Sequence, residues 1–500
     1  MSKQEVLSRM TFGQRVAEEE IDELTHYFVE TDNWNQLFSN RVDVVYGPKG
    51  AGKSALYALL LARREELFKR FIILAAAENP RGAPAFRDLT VDPPAGEREF
   101  IGLWKLYFAC LLVRVFKDYG IRGSESEEMA NVLEREGLIP KEWSLGALVR
   151  AVGDYVRSAI RPQGVEIGIE VDPATGLPTG FKGKITFQEP SASARGRGFM
   201  SVDQILTLAE EALGDAGFSV WLLLDRLDVA FTENAVLEAH ALGALFHAYL
   251  DIQAYRHFRL KVFLRTDIWR KITAGGFREA SHITRHMTIS WDRRTLMSLV
   301  ARRAIQNQVI RDYYQAVPED ILASAATQDE LFYRMCPGQV DVGPNKSATF
   351  EWVLNRTRDA TGQTAPRELI HFLNRLREVQ VRRLEVGEVG PEGEELFVRA
   401  AFKEALPEVS RVRLEQTLLA EYPDLRDYIH ALRGEKTLQT LGTLAKIWRV
   451  TEERAIQTAA RLVEIGFFEL RGSKETPSYW VPFLFRDALS MVQGTADSEE

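Results

Sequence analysis

The stretch GPKGAGKS contains a phosphate-binding pattern of the form G-x-x-x-x-G-K-[ST]. Glycines permit positive φ and close backbone approach, so the N–H groups of such a loop can surround a polyphosphate at the start of a helix. Lys53 is expected to neutralise the β- and γ-phosphates, and Ser54 to hold Mg²⁺. The pattern predicts ATP and Mg²⁺ as cofactors. The loop residues are Gly47, Pro48, Lys49, Gly50, Ala51 and Gly52.

The segments on either side of the loop have the periodicity that it needs. Residues 42–46 predict a buried strand, and residues 54–70 predict a helix with leucines at helical spacing. The alternative is a glycine-rich turn with a solvated lysine. A strand before the loop and a helix after it favour the phosphate-binding interpretation.

A second apolar run, VWLLLD, predicts a strand that ends in a carboxylate, Asp225. Phosphate-loop enzymes hold Mg²⁺ through its water shell with such a carboxylate, so Asp225 joins Ser54 as a candidate metal residue. Arg226 stands where a second carboxylate is expected to polarise the attacking water. Asp228 is the nearest substitute, and it either approaches the γ-phosphate or caps the following helix. We therefore expect slow or conditional hydrolysis.

Residues 259–267 predict another strand with polar residues at its carboxyl end, where ligands of open parallel sheets gather. Arg265 or Thr266 is the candidate that senses the γ-phosphate. The alternative is a turn ion pair or a helix cap, for which Asp267 is well placed. Residues 287–291 predict a further strand.

Composition bounds the class of protein. The 500 residues are 45% hydrophobic and 27% charged, which indicates a folded protein of about three domains. A net charge of −8 argues against binding nucleic acid by bulk charge. Cys110 and Cys336 are too few for a disulfide framework or a zinc site. With no leader pattern and no apolar run long enough to span a bilayer, we expect a cytoplasmic protein without a membrane partner.

Periodicity and linker composition divide the chain into segments. An insertion over 81–200 interrupts the core; it is predicted to hold a helix over 98–119 and a β-hairpin with strands at 165–171 and 181–187. The predicted domains are a helical segment over 1–40, a core over 41–295, a helical lid over 296–385, a helical connector over 386–433 and a C-terminal module over 434–492.

The C-terminal module has the order of a winged helix, with predicted helices over 437–448 and 451–465 and then a β-wing. It carries eight Lys and Arg against seven Asp and Glu, which is not the basic footprint of a strong DNA binder. DNA and protein partners are equal alternatives. The side chains expected to be exposed for a partner are Arg454, Gln457, Thr458, Arg461, Arg471 and Lys474.

Together these features resemble the AAA+ and STAND groups of P-loop ATPases across nearly the whole chain. In AAA+ proteins an arginine at the place of Arg285 reaches the neighbouring subunit's nucleotide. Arg367, within GQTAPREL, resembles their sensor-two arginine. A surface arginine is the alternative for both. Residues 12–15, FGQR, with Glu18 following, resemble a segment that lies against the adenine in origin-recognition-type AAA+ proteins; an N-terminal packing helix is the alternative.

More narrowly, TFGQRVAEEE, YFVETDNW, VYGPKGAGKSA and LLLDRLD resemble a family of bacterial P-loop ATPases associated with conflict and anti-phage functions. The expected fold class is α/β, with a parallel P-loop NTPase sheet of the additional-strand class, a helical lid and a C-terminal winged helix. The resemblance implies an ATP-dependent switch that assembles as a homo-oligomer and recognises a partner or nucleic acid, with antiviral defence as an implied role. The alternatives are a DNA-handling ATPase resembling origin-recognition or transposition proteins, and a non-hydrolysing, nucleotide-dependent scaffold.

Overall fold

The computed structural model describes residues 1–14, 20, 28, 31–78, 96–140, 144–160, 184–227, 235–473 and 476–496. They fall into two compact units. The sheet unit is Thr31–Gly47 with Lys53–Ile289. The helical unit is Met1–Glu30 and Pro48–Gly52 with Ser290–Glu500. Within these described ranges, no helix has the length and apolarity needed to cross a membrane.

The secondary structure follows the chain in this order. The described strands are β1 (Val44–Gly47), β2 (Ile72–Ala76), β3 (Ile185–Thr186), β4 (Met200–Ser201), β5 (Ser219–Leu224), β6 (Phe258–Arg265), β7 (His286–Thr288), β8 (Lys436–Thr440), β9 (Glu469–Gly472), β10 (Pro477–Trp480) and β11 (Val492–Thr495). The first described helix, α1 (Lys3–Arg9), belongs to the helical unit. The described helices of the sheet unit are α2 (Asp32–Phe38), α3 (Lys53–Ala62), α4 (Arg64–Phe68), α5 (Glu97–Tyr119), α6 (Ser124–Arg135), α7 (Leu145–Ile160), α8 (Ala192–Gly196), α9 (Val202–Ala216), α10 (Ala235–Ile252) and α11 (Thr266–Ala274). Those of the remaining chain are α12 (Arg293–Gln306), α13 (Gln308–Tyr314), α14 (Pro318–Leu322), α15 (Ala325–Met335), α16 (Thr349–Thr357), α17 (Pro366–Glu385), α18 (Arg399–Arg413), α19 (Leu419–Glu421), α20 (Arg426–His430), α21 (Leu441–Trp448), α22 (Glu452–Glu464) and α23 (Phe483–Arg486).

The main sheet is parallel throughout, with the strand order β2-β5-β6-β1-β7. Strands β1, β2 and β5 are mostly apolar, as expected where a parallel sheet is covered on both faces, whereas β6 carries charged residues among its apolar ones. Strand β6 lies between β1, which leads into the phosphate loop, and β5, which ends just before Asp225. This intervening strand defines the additional-strand class of P-loop NTPases. The predicted fold class is confirmed.

A row of charged residues crosses three strands at the amino end of the sheet. Asp43 precedes β1, and the strand registers place it between Lys261 of β6 and Arg285 before β7. Asp43 and Lys261 are both fully buried, with Oδ1 and Nζ 2.8 Å apart, and Arg285 Nε donates to the other carboxylate oxygen at 2.6 Å. Burial lowers the pKa of Lys261 to about 8 although Asp43 opposes the shift. A buried carboxylate thus compensates two cations.

The predicted insertion is partly described. The helix expected over 98–119 is confirmed as α5, which ends at Gly120 in the left-handed conformation. Its buried Trp104 donates an indole hydrogen bond to the Ala241 carbonyl of α10 at 2.8 Å. Residues 165–171 and 181–183 of the predicted hairpin lie outside the described residues. The described end of its second strand, β3, pairs in parallel with β4.

The helical unit has its own apolar core, which α12 to α18 and the C-terminal module share. Residues 349–385 of the predicted helical lid form two helices, α16 and α17. Pro366 occupies the first position of α17, where a missing N–H costs nothing.

The C-terminal module is a winged helix: β8, α21 and α22 precede the wing strands β9 and β10, and the sheet order is β11-β8-β10-β9. The helix expected from Thr437 begins instead at Leu441. Residues 436–440 form β8 because Thr437 and Gln439 alternate into the interior and Thr440 caps α21 through a capping box.

We predict that Asp43→Asn lowers the free energy of unfolding by about 3–5 kcal/mol, since it leaves the buried Lys261 without its counter-charge. Asp118→Asn is the matched control, because its ion pair with Arg114 is half exposed and such a pair contributes at most about 1 kcal/mol. Urea unfolding followed by tryptophan fluorescence measures both. Equal losses in the two variants contradict a compensating role for Asp43.

Candidate nucleotide-binding site

The phosphate loop joins β1 to α3 through five residues, Pro48–Gly52, two of which have glycine-dependent backbone geometry. Gly50 and Gly52 have φ of +81° and +98°, a region that other residues rarely adopt. Gly47 does not have a positive φ, because it is the last residue of β1. Lys53 begins α3, and its Nζ donates to the Gly47 carbonyl at 2.9 Å. The lysine thus folds back over the start of the loop.

The predicted helix after the loop is shorter than expected. It extends over Lys53–Ala62. Arg63 interrupts the helix, and the short α4 follows. Ser54 therefore lies in the first turn of α3, the position at which backbone N–H groups and a hydroxyl can face a phosphate.

The middle of the loop, Pro48–Gly52, packs within the helical unit. A Cβ placed on Gly50 comes within 3.2 Å of the Arg367 Cβ and 3.3 Å of the Ala365 Cβ. The first turn of α17 therefore lies directly against the loop. Trp291 holds the next residue, since its indole N–H donates to the Ala51 carbonyl at 2.8 Å. Only glycine satisfies both the conformation and the space at position 50.

Arg367, the predicted sensor-two arginine, lies in that first turn of α17. Its position beside Gly50 places it next to the loop, as its predicted role requires. Its Nε is buried and has no hydrogen-bond partner among the described residues. Several other buried arginines share this feature, so it does not by itself mark a ligand. The assignment of Arg367 to the γ-phosphate stays a prediction.

Lys49 uses its side chain differently from Lys53. It forms an ion pair with Glu421 at the end of α19. Glu421 also helps to stabilise the buried Arg413, which pairs with Glu368 at 3.0 Å and Asp359 at 3.6 Å. Burial lowers the pKa of Arg413, but the three carboxylates outweigh burial and raise it. Lys49 is thus left with its backbone N–H to offer to a phosphate.

Two further candidates lie at the carboxyl edge of the sheet. Asp225 follows β5 and is only 5% exposed. Thr266 follows β6, and its hydroxyl is buried with no hydrogen-bond partner within the described part of the chain. Arg265 instead pairs with Asp267 at 2.7 Å, which matches the turn ion pair considered as an alternative. Asp267 is not the cap of α11, because the N-cap position is Arg265. Thr266 is therefore the better sensor candidate.

The residues at this edge fit a magnesium ion bound with a nucleotide. Mg²⁺ in such sites takes one or two protein oxygens together with substrate phosphates and water. Ser54 and Asp225 supply a hydroxyl and one carboxylate, which is the donor set expected for an ion shared with phosphates.

The remaining predicted residues have other placements or none. Arg285 is held by Asp43 and by the backbone of Asn40, and its side chain is about a third exposed. Reaching a neighbouring subunit's site would require this buried pair to break, so its finger role stays a prediction. Asp228 lies outside the described residues.

The N-terminal segment packs within the helical unit. Phe12 is buried, its N–H donates to Asn374 at 3.1 Å, and its carbonyl accepts from Arg303 at 2.6 Å. These contacts support the packing alternative for this segment. Arg15 and Glu18 lie outside the described residues, so contact with adenine stays a prediction.

The partner surface of the winged helix is only partly as expected. Arg454 and Gln457 are exposed on α22, but Thr458 is buried, because it belongs to the apolar stripe that packs on the module's core. Arg461 forms an ion pair with Asp424, which precedes α20. Arg471 on the wing stacks over Trp480 at 3.8 Å and pairs with Glu469. Lys474 lies outside the described residues.

Comparison with known proteins gives weak structural likenesses. No family model and no curated protein matches the chain. The Orc1 protein of Aeropyrum pernix, solved in complex with DNA, is 12% identical, with 95% of this chain and 96% of that chain covered and a TM-score of 0.37. Cdc6p from Pyrobaculum aerophilum is 10% identical over 92% and 91%, with a TM-score of 0.27. The Orc2 protein of Aeropyrum pernix, in ADPNP–ADP complexes, is 11% identical over 91% and 92%, with a TM-score of 0.29. Such TM-scores carry no argument, so the fold class rests on strand order and the phosphate loop.

Sequence reasoning missed Trp291 and Glu421, which hold the loop at Ala51 and Lys49. No motif marks either residue. Both contacts join positions far apart in the chain, so only the folded packing reveals them.

Proposed function

We propose that this chain binds ATP with Mg²⁺ and hydrolyses it slowly or conditionally. The observation that carries the proposal is that Lys53, Asp225 and Thr266 stand at one edge of a parallel sheet, at the loop or strand ends of β1, β5 and β6. Ligands of open parallel sheets bind at this edge. A phosphate loop, a metal carboxylate and a polar sensor on adjacent strands are the parts that phosphoryl transfer uses.

Each residue has a distinct task in this proposal. Bound Mg²⁺ neutralises charge that develops on the β- and γ-phosphates. Lys53 exchanges its bond to the Gly47 carbonyl for a stronger, charge-assisted bond to a phosphate oxygen. Ser54 and Asp225 orient the ion, and the buried hydroxyl of Thr266 donates to the γ-phosphate. Arg226 occupies the place of the usual water-polarising carboxylate, so the residue directly after Asp225 does not activate the water.

A chain of contacts supports coupling between the loop and the winged helix. Lys49 pairs with Glu421, and Arg413 joins Glu421 to Glu368 and Asp359. The loop that holds Asp359 touches the end of α22. There the Ala360 N–H donates to the Gly466 carbonyl at 2.9 Å, and a Cβ on Gly466 would lie 3.4 Å from the Asp359 carboxyl carbon.

A phosphate bound at the loop attracts Lys49 and so competes with Glu421 for it. Weakening the Lys49–Glu421 pair changes the charge balance around Arg413. We propose that nucleotide state reaches the winged helix by this route, as in a switch that biases two arrangements of one element.

The ATP site is tested by thermal unfolding with and without ATP and Mg²⁺. At about 100 times its Kd, a ligand that binds only the folded state stabilises it by about 2.7 kcal/mol. Lys53→Ala is expected to lose most of this stabilisation at the same ATP concentration. Lys69→Ala removes an exposed lysine just after α4 and should keep it. If Lys53→Ala is stabilised as strongly as the unmodified protein, the proposal fails.

DNA handling is the alternative that the winged helix favours. Exposed Arg454 and Gln457 on α22 suit contacts to phosphates and base edges. Arg461, which also lies on α22, is however already neutralised by Asp424. Asp427 lies in the same surface groove as these two residues. Binding to a phosphate backbone therefore requires Arg461 to leave Asp424. This contact keeps affinity low in the present arrangement.

A pair of variants separates DNA binding from binding to a protein. Asp424→Asn frees Arg461 and is expected to strengthen binding to duplex DNA, whereas Arg461→Glu should weaken it and reduce the salt slope by about 1. Arg433→Glu makes the same charge change at another exposed arginine of the helical unit and is the control. Fluorescence anisotropy over a series of salt concentrations measures all three. Equal losses for Arg461→Glu and Arg433→Glu would exclude α22 as the DNA contact.

The finer parts of the proposal rest on resemblance. Nucleotide-dependent homo-oligomerisation through Arg285 requires that residue to leave Asp43. A role in antiviral defence is implied by the resembling bacterial family, and a STAND-type switch is consistent with the contacts around Lys49 and Arg413. A non-hydrolysing scaffold is the outcome if ATP binds without release of phosphate.

A further inference from the structure

The end of β2 carries a carboxylate beside the predicted metal residue. Strand β2 pairs in parallel with β5, with Ala76 opposite Leu223, and the Ala77 N–H continues the ladder to the Leu223 carbonyl at 2.8 Å. Extending this register by two residues past the last strand pair places Glu78 opposite Asp225. Neighbouring strands lie about 4.8 Å apart, so the two residues follow adjacent strands at the same sheet edge.

Two buried tyrosines fix the backbone around Glu78. Tyr57 of α3 donates to the Glu78 carbonyl at 3.4 Å, and Tyr107 of α5 donates to the Ala77 carbonyl at 2.7 Å. Burial raises the pKa of Tyr57, and the charges of Asp225 and Glu78 raise it further. Both carboxylates are therefore near the helix that begins with Lys53 and Ser54. Glu78 is only 1% exposed, so this surrounding is shielded from bulk water.

Arg226, the residue after Asp225, does not supply the second carboxylate, the one that would polarise the attacking water. Arg226 takes a left-handed conformation, with φ of +59°, at the point where the chain leaves β5. Such a conformation in a residue other than glycine is strained and persists only where the surroundings impose it. The carboxylate missing from position 226 is present one strand away.

We propose that Glu78 is the catalytic carboxylate that activates the attacking water, an inference that rests on the proposed ATPase function. Glu78 accepts a proton from the water while the water oxygen forms a bond to the γ-phosphorus. The bond between that phosphorus and the β–γ bridging oxygen breaks, and ADP leaves with the electron pair. The proton on Glu78 then passes to solvent or to the released phosphate. No oxidant, reductant or further reactant is needed.

The test compares Glu78→Gln and Glu78→Asp with the unmodified protein by three measurements. These are affinity for a fluorescent ATP analogue, phosphate release, and the identity of the bound nucleotide after incubation with ATP and Mg²⁺. Glu128→Gln, at an exposed site on α6, is the control for loss of one carboxylate. Glu78→Gln is expected to bind the analogue within about threefold of the unmodified protein. General-base assistance contributes about 10²–10⁴-fold, so phosphate release should fall at least about 100-fold, and the bound nucleotide should remain ATP.

Glu78→Asp keeps the charge but withdraws it by one methylene, so it should bind ATP and release phosphate at an intermediate rate. It carries the test if Glu78→Gln does not fold. Phosphate release by Glu78→Gln within about threefold of the unmodified rate overturns the assignment. Loss of ATP binding in both variants also overturns it, since Glu78 then serves folding or binding. Absence of ATP binding or of phosphate release in the unmodified protein instead overturns the proposed function, whereas turnover by the unmodified protein that Glu78→Gln retains overturns the role of Glu78 alone.

Discussion

The buried carboxylate of Asp43 is the interaction on which the sheet depends. It stands at the amino end of the central strand β1 and compensates Lys261 on one neighbouring strand and Arg285 before the other. Lys261 also lies over the ring of Trp221 on β5, 4.4 Å from its centroid. The parallel ladders continue this alignment to the opposite ends of β1, β5 and β6, where Lys53, Asp225 and Thr266 follow the strands.

The phosphate loop shows how a short motif depends on distant packing. Its glycines allow the turn, but Trp291 and the first turn of α17 hold its middle, and Glu421 engages Lys49. A Cβ at position 50 leaves no room against Arg367 and Ala365. The middle of the loop is thus held by several contacts, and Lys49 connects it through Glu421 to the surroundings of the buried Arg413.

The parts of the structure that sequence could predict are those with local signals. The loop between β1 and α3, the strand before Asp225, helix α5 and the start of α17 at Pro366 follow from periodicity and from the preferences of glycine and proline. Strand β8 was missed because it depends on pairing with β10 and β11, which come later in the chain. The partner of Arg285 was missed for the same reason, since Asp43 lies 242 residues earlier. Glu78 ends an apolar run as Asp225 does, but only the register of β2 with β5 brings the two together.

We propose that one nucleoside triphosphate binds at the edge where β1, β5 and β6 end. Calorimetric titration of the unmodified protein with ATP, in the presence and absence of Mg²⁺, tests it most directly. We predict one ATP bound per chain, with affinity at least about tenfold weaker without Mg²⁺, since a tenfold change corresponds to about 1.4 kcal/mol and the ion shared by Ser54, Asp225 and phosphate is lost. Absence of saturable binding, or binding indifferent to Mg²⁺, contradicts the account.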